Sequence, residues 1–451
     1  AANLDIRTSG GLIYIVKSVP LENLTIEQSG DASVMKVNGN SYNTQGAVTI
    51  RRYSKPTSTT QDGYDVASNQ GTMFTIPADT TVSIQGVTID GHSQSLDSEK
   101  DYLKAEGVTG ADSIFEVSGT LNLGVKAAAQ NTRIQNNDAS GKEGGLIRVA
   151  DGGILHITGD APKAVNLDEG QTAVYGTVLT GGQAAKGSAV YAGYRAEGTV
   201  LLSKGAKSDY PQIDGDIYLT GNGTNSSFLS VTDGTAGAIT DSRYALEVGD
   251  AYDGRLVVSY RSGTTLSATD VKGYTVSGRQ GYDVAVSDDD KSQIILKMLG
   301  AVYIDGVNGK DTANGQTPAT AVKTLNKAYS LLKTNKGGML YVVNTVEIAD
   351  TQKLTETSYT HYNTSIVLDK GTVQIQRYGK PSAYGDESQW TSSSSMEQFN
   401  VNSNENALFC VTGRGMLDLQ TILIDGHSEA VTLTGSLAYK TNAGGVSASA
   451  P

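Results

Sequence analysis

Several short stretches of the chain repeat one hydrophobic pattern. Met73–Ile84 carries apolar residues at Phe74, Ile76, Val82 and Ile84, and Ile114–Leu123 carries them at Phe115, Val117, Leu121 and Leu123. Leu146–Ile157 repeats this with Ile147, Val149, Leu155 and Ile157, and Leu408–Leu419 with Phe409, Val411, Leu417 and Leu419. Each stretch reads as two short strands of period-two alternation around a corner containing Gly or Asp. The pattern continues more weakly in Ala189–Leu202 and Ile213–Leu219. Strands this short bury one face only and need stacked neighbours, which is the logic of a parallel β-helix. A β-sandwich uses strands of similar length. The recurring corner, without Asn-Gly hairpin signals between paired strands, favours the β-helix.

A second, longer repeat overlies the first. GLIYIVKSVPL at Gly11 matches GMLYVVNTVEI at Gly338, a separation of 327 residues (338 − 11). VTIRRYSKP ending at Pro56 matches VQIQRYGKP ending at Pro381, 325 residues on (381 − 56). VSIQGVTIDGHS ending at Ser93 matches LDLQTILIDGHS ending at Ser428, 335 residues on (428 − 93), so an insertion of about ten residues lies near Gln389–Met396. Three blocks in one order imply one long repeat that lacks its beginning and a second that lacks its end, as in a piece of a longer array.

Ala301–Gly338 departs from the strand pattern. A strand and a polar loop lead to Thr317-Pro318, an N-cap with Pro at the first helical position. Val322, Leu325, Tyr329 and Leu332 then share one helical face, and Gly337-Gly338 ends the helix. An amphipathic helix here would cover the open apolar end of a β-helix.

The motif VYIDGVNGKDTANGQTPATAVKTLNKA, with the φ-x-φ corners and the TIDG and LIDG strand ends, resembles right-handed parallel β-helix, pectate-lyase-like domains. It is similar in particular to those repeated in tandem in large Gram-positive surface proteins. The resemblance spans most of residues 9–225 and 300–440. It implies a right-handed solenoid in an extracellular, wall-attached protein, often an adhesin or carbohydrate-associated factor.

Between the two repeats, from about Phe228 to Met298, strands are longer and alternate cleanly, which reads as antiparallel pairing with a turn at Asp288–Lys291. The expected fold is therefore all-β: a first parallel β-helix over 1–225, a small antiparallel β domain over 226–299, and a capping helix with the first coils of a second β-helix over 300–451.

Composition narrows the function. With 35 basic and 47 acidic residues the net charge is −12, and no basic cluster stands out, so nucleic acid and anionic membranes are poor partners. No run of about 18 apolar residues supports membrane insertion. One Cys excludes a disulfide scaffold or an iron–sulfur site, and a Cys-poor chain rich in Gly, Ser, Thr, Asn and Tyr suits an exported bacterial surface protein, although a Cys-poor cytosolic protein has the same composition. A lyase of this fold needs clustered carboxylates for Ca²⁺ and a basic Arg or Lys; a glycosidase needs two or three carboxylates on one face. Here Asp90, Glu116, Asp151, Asp160 and Asp168 are scattered, and no catalytic residue is assigned. The Asp-Gly-His-Ser blocks containing His92 and His427 are too local for a catalytic relay and read as polar turns.

Two groups remain as site candidates. Arg52, Tyr53 and Lys55 recur as Arg377, Tyr378 and Lys380; with His92 and His427 they are candidate ligand-binding residues, an aromatic beside cations suiting a sugar or an acidic glycan. The alternative is an inward strand that leaves the sheet into a Pro-bounded loop. Asp305, Asn308, Asp311 and Asn314 form a candidate Ca²⁺ loop or a metal-free turn; the Asp288–Asp290 triplet has the same two readings, and no other cofactor is expected. The leading expectation is a non-catalytic adhesin or stalk that contacts a glycan or a host surface protein. A polysaccharide lyase or hydrolase, and a structural filament self-associating along the repeats, are the alternatives.

Overall fold

The computed structural model describes residues 11–441 except 29–33, 45, 58–65, 96–104, 125–129, 163–175, 223, 234–238, 240–242, 252–253, 278–281, 299, 335–337, 356–357, 362–363, 368–372, 381–400, 421, 427–430 and 435–437. Two compact units divide the chain: Ala1–Gly278 with Val284–Lys297, and Arg279–Asp283 with Met298–Pro451.

The first unit is a right-handed parallel β-helix. Successive coils contribute one strand to each of three sheets, which we call A, B and C. Sheet A contains Gly11–Ile15, Val48–Arg52, Thr88–Asp90, Thr132–Glu143, Thr177–Lys186 and Gln212–Ile213. Sheet B runs from Val19–Pro20 through Phe74–Ile76, Phe115–Val117, Ile147–Val149, Val190–Ala192, Asp216–Leu219 and Tyr244–Val248 to Tyr274–Ser277. The parallel part of sheet C runs from Leu24–Gln28 to Leu256–Tyr260.

The expected inward residues stack in register. Phe74, Phe115, Ile147, Val190, Ile217 and Leu246 form one column of sheet B, and Ile76, Val117, Val149, Ala192, Leu219 and Val248 form the next. All twelve are buried. Each coil thus buries the coil before it, and each fully buried Leu, Ile or Phe contributes about 1.5–3 kcal/mol. The corner between sheets C and A is tight. At Gly124 φ is +74°, and a Cβ would stand 2.1 Å from the Thr158 carbonyl oxygen, so glycine is required there.

The segment expected as a separate antiparallel domain continues the parallel coils. Leu229–Val231 pairs in parallel with the Val200–Ser203 strand, Tyr244–Val248 with Asp216–Leu219, and Leu256–Tyr260 with Leu229–Val231. Antiparallel pairing starts only where Gln293–Met298 joins Leu256–Tyr260. Clean alternation marks a strand with one buried face and is the same for either pairing direction, so the pattern did not distinguish them. The turn at Asp288–Lys291 does connect neighbouring strands, Tyr282–Val286 and Gln293–Met298. At the other end of sheet C, Val34–Val37 and Asn40–Asn43 form an antiparallel hairpin on the edge of Leu24–Gln28.

The second unit repeats this start. Ala301–Asp305, Gly338–Asn344, Val373–Arg377 and Leu423–Asp425 form one parallel sheet; Val346–Ile348 pairs with Phe409–Val411, and Thr351–Thr355 with Met416–Gln420. The helix, α1, covers Leu325–Thr334 and begins later than expected. Thr317 and Pro318 open a 3₁₀ turn closed by a capping box with Thr320, and Val322 instead bridges to Ile304 in parallel. Asp311 then caps the start of α1, accepting from the Lys323 and Thr324 N–H groups at 2.9 and 3.0 Å. The expected apolar face is nonetheless inward: Val322, Leu325, Tyr329 and Leu332 join one core cluster with Leu340, Val342 and Ile375. The free Cys410 is exposed, between Phe409 and Val411, as alternation places it.

Replacing Ile147 by Asp tests the inward column. The residue is fully buried between Phe115 and Val190, so an unpaired charge there is expected to cost several kcal/mol and sharply lower the melting temperature of the first unit. An unchanged melt would place Ile147 on the outside.

Candidate functional site

The alternation of Val48, Ile50 and Arg52 directs the Arg52 side chain inward, and it is fully buried. Its Nε donates to the Gly91 carbonyl at 3.2 Å, Nη1 to the carbonyls of Asn69 (3.1 Å) and Gly71, and Nη2 to the Asp112 carbonyl (2.8 Å) and Asn137 Oδ1 (2.9 Å). One guanidinium thereby ties its own coil to the two that follow. Burial lowers its pKa to about 10, Asp112 opposing the shift, so it is charged at neutral pH. Gly91 is the residue that lets this happen, because a Cβ there would lie 2.5 Å from the Asn137 side chain.

The neighbouring candidates complete the clamp. Tyr53 is buried and meets Tyr14 edge-on, with ring centres 6.3 Å apart. His92 is buried; its Nδ1 contacts the Arg52 carbonyl at 3.0 Å, and its N–H donates to Asp90 Oδ1 at 2.9 Å. Asn69 donates through Nδ2 to the Ile15 carbonyl and through its backbone to Tyr53, at 3.1 and 2.9 Å, and the Lys55 N–H donates to Ser68 Oγ at 2.8 Å.

The second unit repeats the arrangement. Arg377 donates to the carbonyls of Gly426 and Asn404, both at 3.1 Å, and of Asn406. Asn404 donates to the carbonyls of Val342 and Tyr378, at 3.1 and 3.0 Å, and the Lys380 N–H donates to Ser403 Oγ at 2.7 Å. Tyr378 is buried, edge-on to Tyr303 at 6.1 Å. His427 lies outside the described residues. The ligand-binding expectation is therefore corrected for Arg52, Tyr53, His92 and Tyr378: these side chains face the fold, and the half-buried Arg377 is engaged in the same way. Only the Lys55 side chain of the first block is exposed. The partners Ser68-Asn69 and Ser403-Asn404 were overlooked in the sequence, although they recur at the same 335-residue separation (403 − 68) as the TIDG block.

The candidate Ca²⁺ loop is organised by backbone capping. Asp305 Oδ1 accepts from the Val307 and Asn308 N–H groups at 2.9 and 2.7 Å, and Oδ2 accepts from Asn344 Nδ2 at 2.8 Å. Asp311 turns to α1, and Asn314 accepts from the Gln316 N–H at 3.1 Å. Of the four, Asp305 and Asn308 come together, and they line a cavity of about 360 Å³ with Lys310, Pro318, Ala321 and Val401. Among the described residues no three His, Cys, Asp or Glu side chains group as metal ligands would. In the Asp288–Asp290 turn, Lys291 pairs with Asp288 at 3.0 Å, and Asp290 accepts from Ser292 N–H and Oγ.

A different set of residues is presented outward. The middle positions of the φ-x-φ strands of sheet B place Glu116, Arg148, Tyr191, Tyr218 and Glu247 in one in-register column. The Tyr191 and Tyr218 rings stack at 5.2 Å and 9°. Arg148 lies 5.6 Å from the Tyr191 ring centre, and Lys186 lies 5.3 Å from that of Tyr218. Arg148 pairs with Glu116 at 2.8 Å, and Glu143 bridges Arg148 and Lys186 at 3.7 and 3.2 Å. The hydrogen bond to Glu143 is the chief cause of a raised Lys186 pKa, and burial is the chief cause of a raised Tyr191 pKa. Reading the middle letter of FEV, IRV, VYA, IYL and LEV would have revealed this column.

On sheet C, His156 Nε2 lies 2.6 Å from Ser203 Oγ, which lies 2.6 Å from Thr232 Oγ1. Burial lowers the His156 pKa, and Asp233 opposes it.

No protein-family model and no curated protein matches the chain. Among the described residues no helix is long and apolar enough to cross a membrane. The class that the fold defines is a right-handed parallel β-helix solenoid.

Two predictions follow from this chemistry. Arg52→Met keeps the side-chain length but strands several buried carbonyls, an expected loss of about 3 kcal/mol or more, and Arg52→Lys does not restore it because one ammonium cannot span them. Calorimetry of both variants checks this; wild-type melting of Arg52→Met would contradict the clamp. His156 is held below its ordinary 6.5, so the unfolded chain binds its proton more readily. Its contribution to stability is complete above pH 6.5 and is lost as the pH falls toward the lower folded value. Urea unfolding at pH 7.5 and 5.5 should show a smaller difference in His156→Gln than in the wild type; an equal difference would show that His156 is not responsible.

Proposed function

We propose that the chain is a non-catalytic segment of a Gram-positive cell-surface protein, wall-attached in its full length. In this reading the β-helix acts as a stalk, and the outward face of sheet B contacts a glycan or a host surface protein. The observation that carries it is the column Glu116–Arg148–Tyr191–Tyr218–Glu247 with Lys186 beside it. Five successive coils present polar and aromatic side chains in register, spaced by the ~4.8 Å between strands, roughly the length of one sugar unit. Such a linear array suits an extended chain of repeating chemistry, and many weak contacts along a stalk add by multivalency.

The acids of the first unit support the non-catalytic reading. Asp90 accepts from the His92 N–H and pairs with Arg51 at 3.3 Å; Asp151 accepts from the Tyr194 N–H; Asp160 accepts from the Lys207 and Asp209 N–H groups. Each of these carboxylates is thus committed to holding a turn or a neighbouring coil, and the three lie in separate places along the solenoid. Asp168 lies outside the described residues.

A glycan and host-protein array probed with the chain tests the reading. Tyr191→Ala and Tyr218→Ala together are expected to lower retention by about tenfold, a loss of roughly 1.4 kcal/mol, without altering the fold by circular dichroism. Retention unchanged by the double substitution would remove this face from the contact, and turnover of any array member would contradict the non-catalytic reading.

A further inference from the structure

Two long strands of sheet A carry charge to the outward column of sheet B. Thr132–Glu143 has 12 residues and Thr177–Lys186 has 10, where the other strands of sheet A have 5 or fewer. The register between the two shifts from Ala139 to Glu143, and an irregularity of this kind re-aims the side chains beyond it. Their last residues end beside the column. Glu143 Oε2 lies 3.7 Å from Arg148 Nε, and Oε1 lies 3.2 Å from Lys186 Nζ, which stands over the Tyr218 ring.

The result is a face whose cations are already answered. Arg148 is shared between Glu116 and Glu143, and Lys186 is held by Glu143. The neighbouring cations are paired as well, Lys142 with Asp112 at 2.6 Å and Arg195 with Glu197 at 3.2 Å. Within the column and its flank, the carboxylates of Glu116, Glu143 and Glu247 outnumber Arg148 and Lys186, so the set is net negative. A carboxylate or sulfate on a ligand would have to displace Glu143 from both cations while standing next to it. The rings are answered too. Arg148 and Tyr218 lie on the strands either side of Tyr191, so both faces of that ring are covered and its edge is what a ligand meets.

We infer that the outward column of sheet B takes an uncharged glycan chain, and that Glu143 is the residue that excludes acidic ones. The inference rests on the reading of sheet B as the contact face and names its ligand. Sugar hydroxyls both donate and accept, which matches a mixed row of carboxylates, a guanidinium, an ammonium and phenol edges. The spacing favours a glycan over a polypeptide. Side chains on one face of an extended peptide recur every ~6.8 Å, out of step with a column spaced by ~4.8 Å, and a docked helix would need an apolar groove that these residues do not form. Charge placed this way acts mainly by rejecting wrong partners.

The test uses the full chain on an array of hexasaccharides, one set of neutral glucose, mannose, galactose and N-acetylglucosamine chains and one set of uronate and sulfated chains. The wild type is expected to be retained by a neutral chain, with little change between about 0.05 and 0.5 M NaCl. Glu143→Gln, at a side chain 34% exposed, should keep the fold by circular dichroism and raise retention on acidic chains by about tenfold, a gain that salt removes. Asp288→Asn makes the same charge change beside Lys291, away from the column, and should give no such gain. Wild-type preference for an acidic chain, or a Glu143→Gln gain no larger than that of Asp288→Asn, overturns the inference. If that acidic binding is weakened by Tyr191→Ala with Tyr218→Ala, sheet B remains the contact face and only the choice of ligand falls. Retention by no glycan, or by host proteins alone, overturns the inference, and binding untouched by the two tyrosine substitutions removes the contact face with it.

Discussion

A strand of three to five residues with one apolar face has no stability of its own, and every other feature of this protein follows from that constraint. The remedy is stacking. Ile147 is fully buried because Phe115 lies before it and Val190 after it, and each of those is buried for the same reason. Such a column has two ends, and the ends are where the architecture changes character. At one end of sheet C the pairing turns antiparallel through Gln293–Met298, and at the other a hairpin covers Leu24–Gln28. In the second unit, α1 packs Leu325, Tyr329 and Leu332 into the core below Leu340. These devices protect open edges in the ways that natural sheets generally do.

The corners pose a separate problem, because the chain must leave one sheet and enter the next while keeping its carbonyls bonded. Arginine solves it here by supplying several donors in a fixed fork. Arg52 reaches four carbonyls and one amide across three coils, and Arg255, also fully buried, donates to the carbonyls of Leu219 and Thr220. A recurring Arg-Tyr-x-Lys block is therefore compatible with function elsewhere: it fixes the base of a loop and leaves the outward column of sheet B free to vary. Chemistry at the surface and repetition in the sequence are carried by different residues.

Much of this was legible in the sequence. The φ-x-φ corners named the inward columns because the period of two is a direct consequence of strand geometry, and the long repeat identified the second unit as a copy of the first. Arg52 was legible by parity, following Val48 and Ile50, even though its charge suggested the surface. What escaped was non-local. The start of α1 depends on Asp311 reaching Thr324, thirteen positions away, and on Val322 joining Ile304, so Thr317-Pro318 gave a genuine cap to the wrong turn. The pairing direction beyond Phe228 depends on which coil lies alongside, and alternation carries no information about that. The outward column was present in the letters and invisible until the register aligned it.

The central claim is that each coil owes its rigidity to the coil laid over it. Amide hydrogen exchange at Asn69, in the wild type and in Arg52→Met, tests it most directly, since the Asn69 N–H donates to the Tyr53 carbonyl at 2.9 Å inside the clamp. Arg52 ties that clamp to the two following coils through Gly91, Asp112 and Asn137. Asn69 is expected to exchange slowly in the wild type, on the timescale of global unfolding of its unit, and much faster in Arg52→Met. Equal rates in the two proteins would contradict the account.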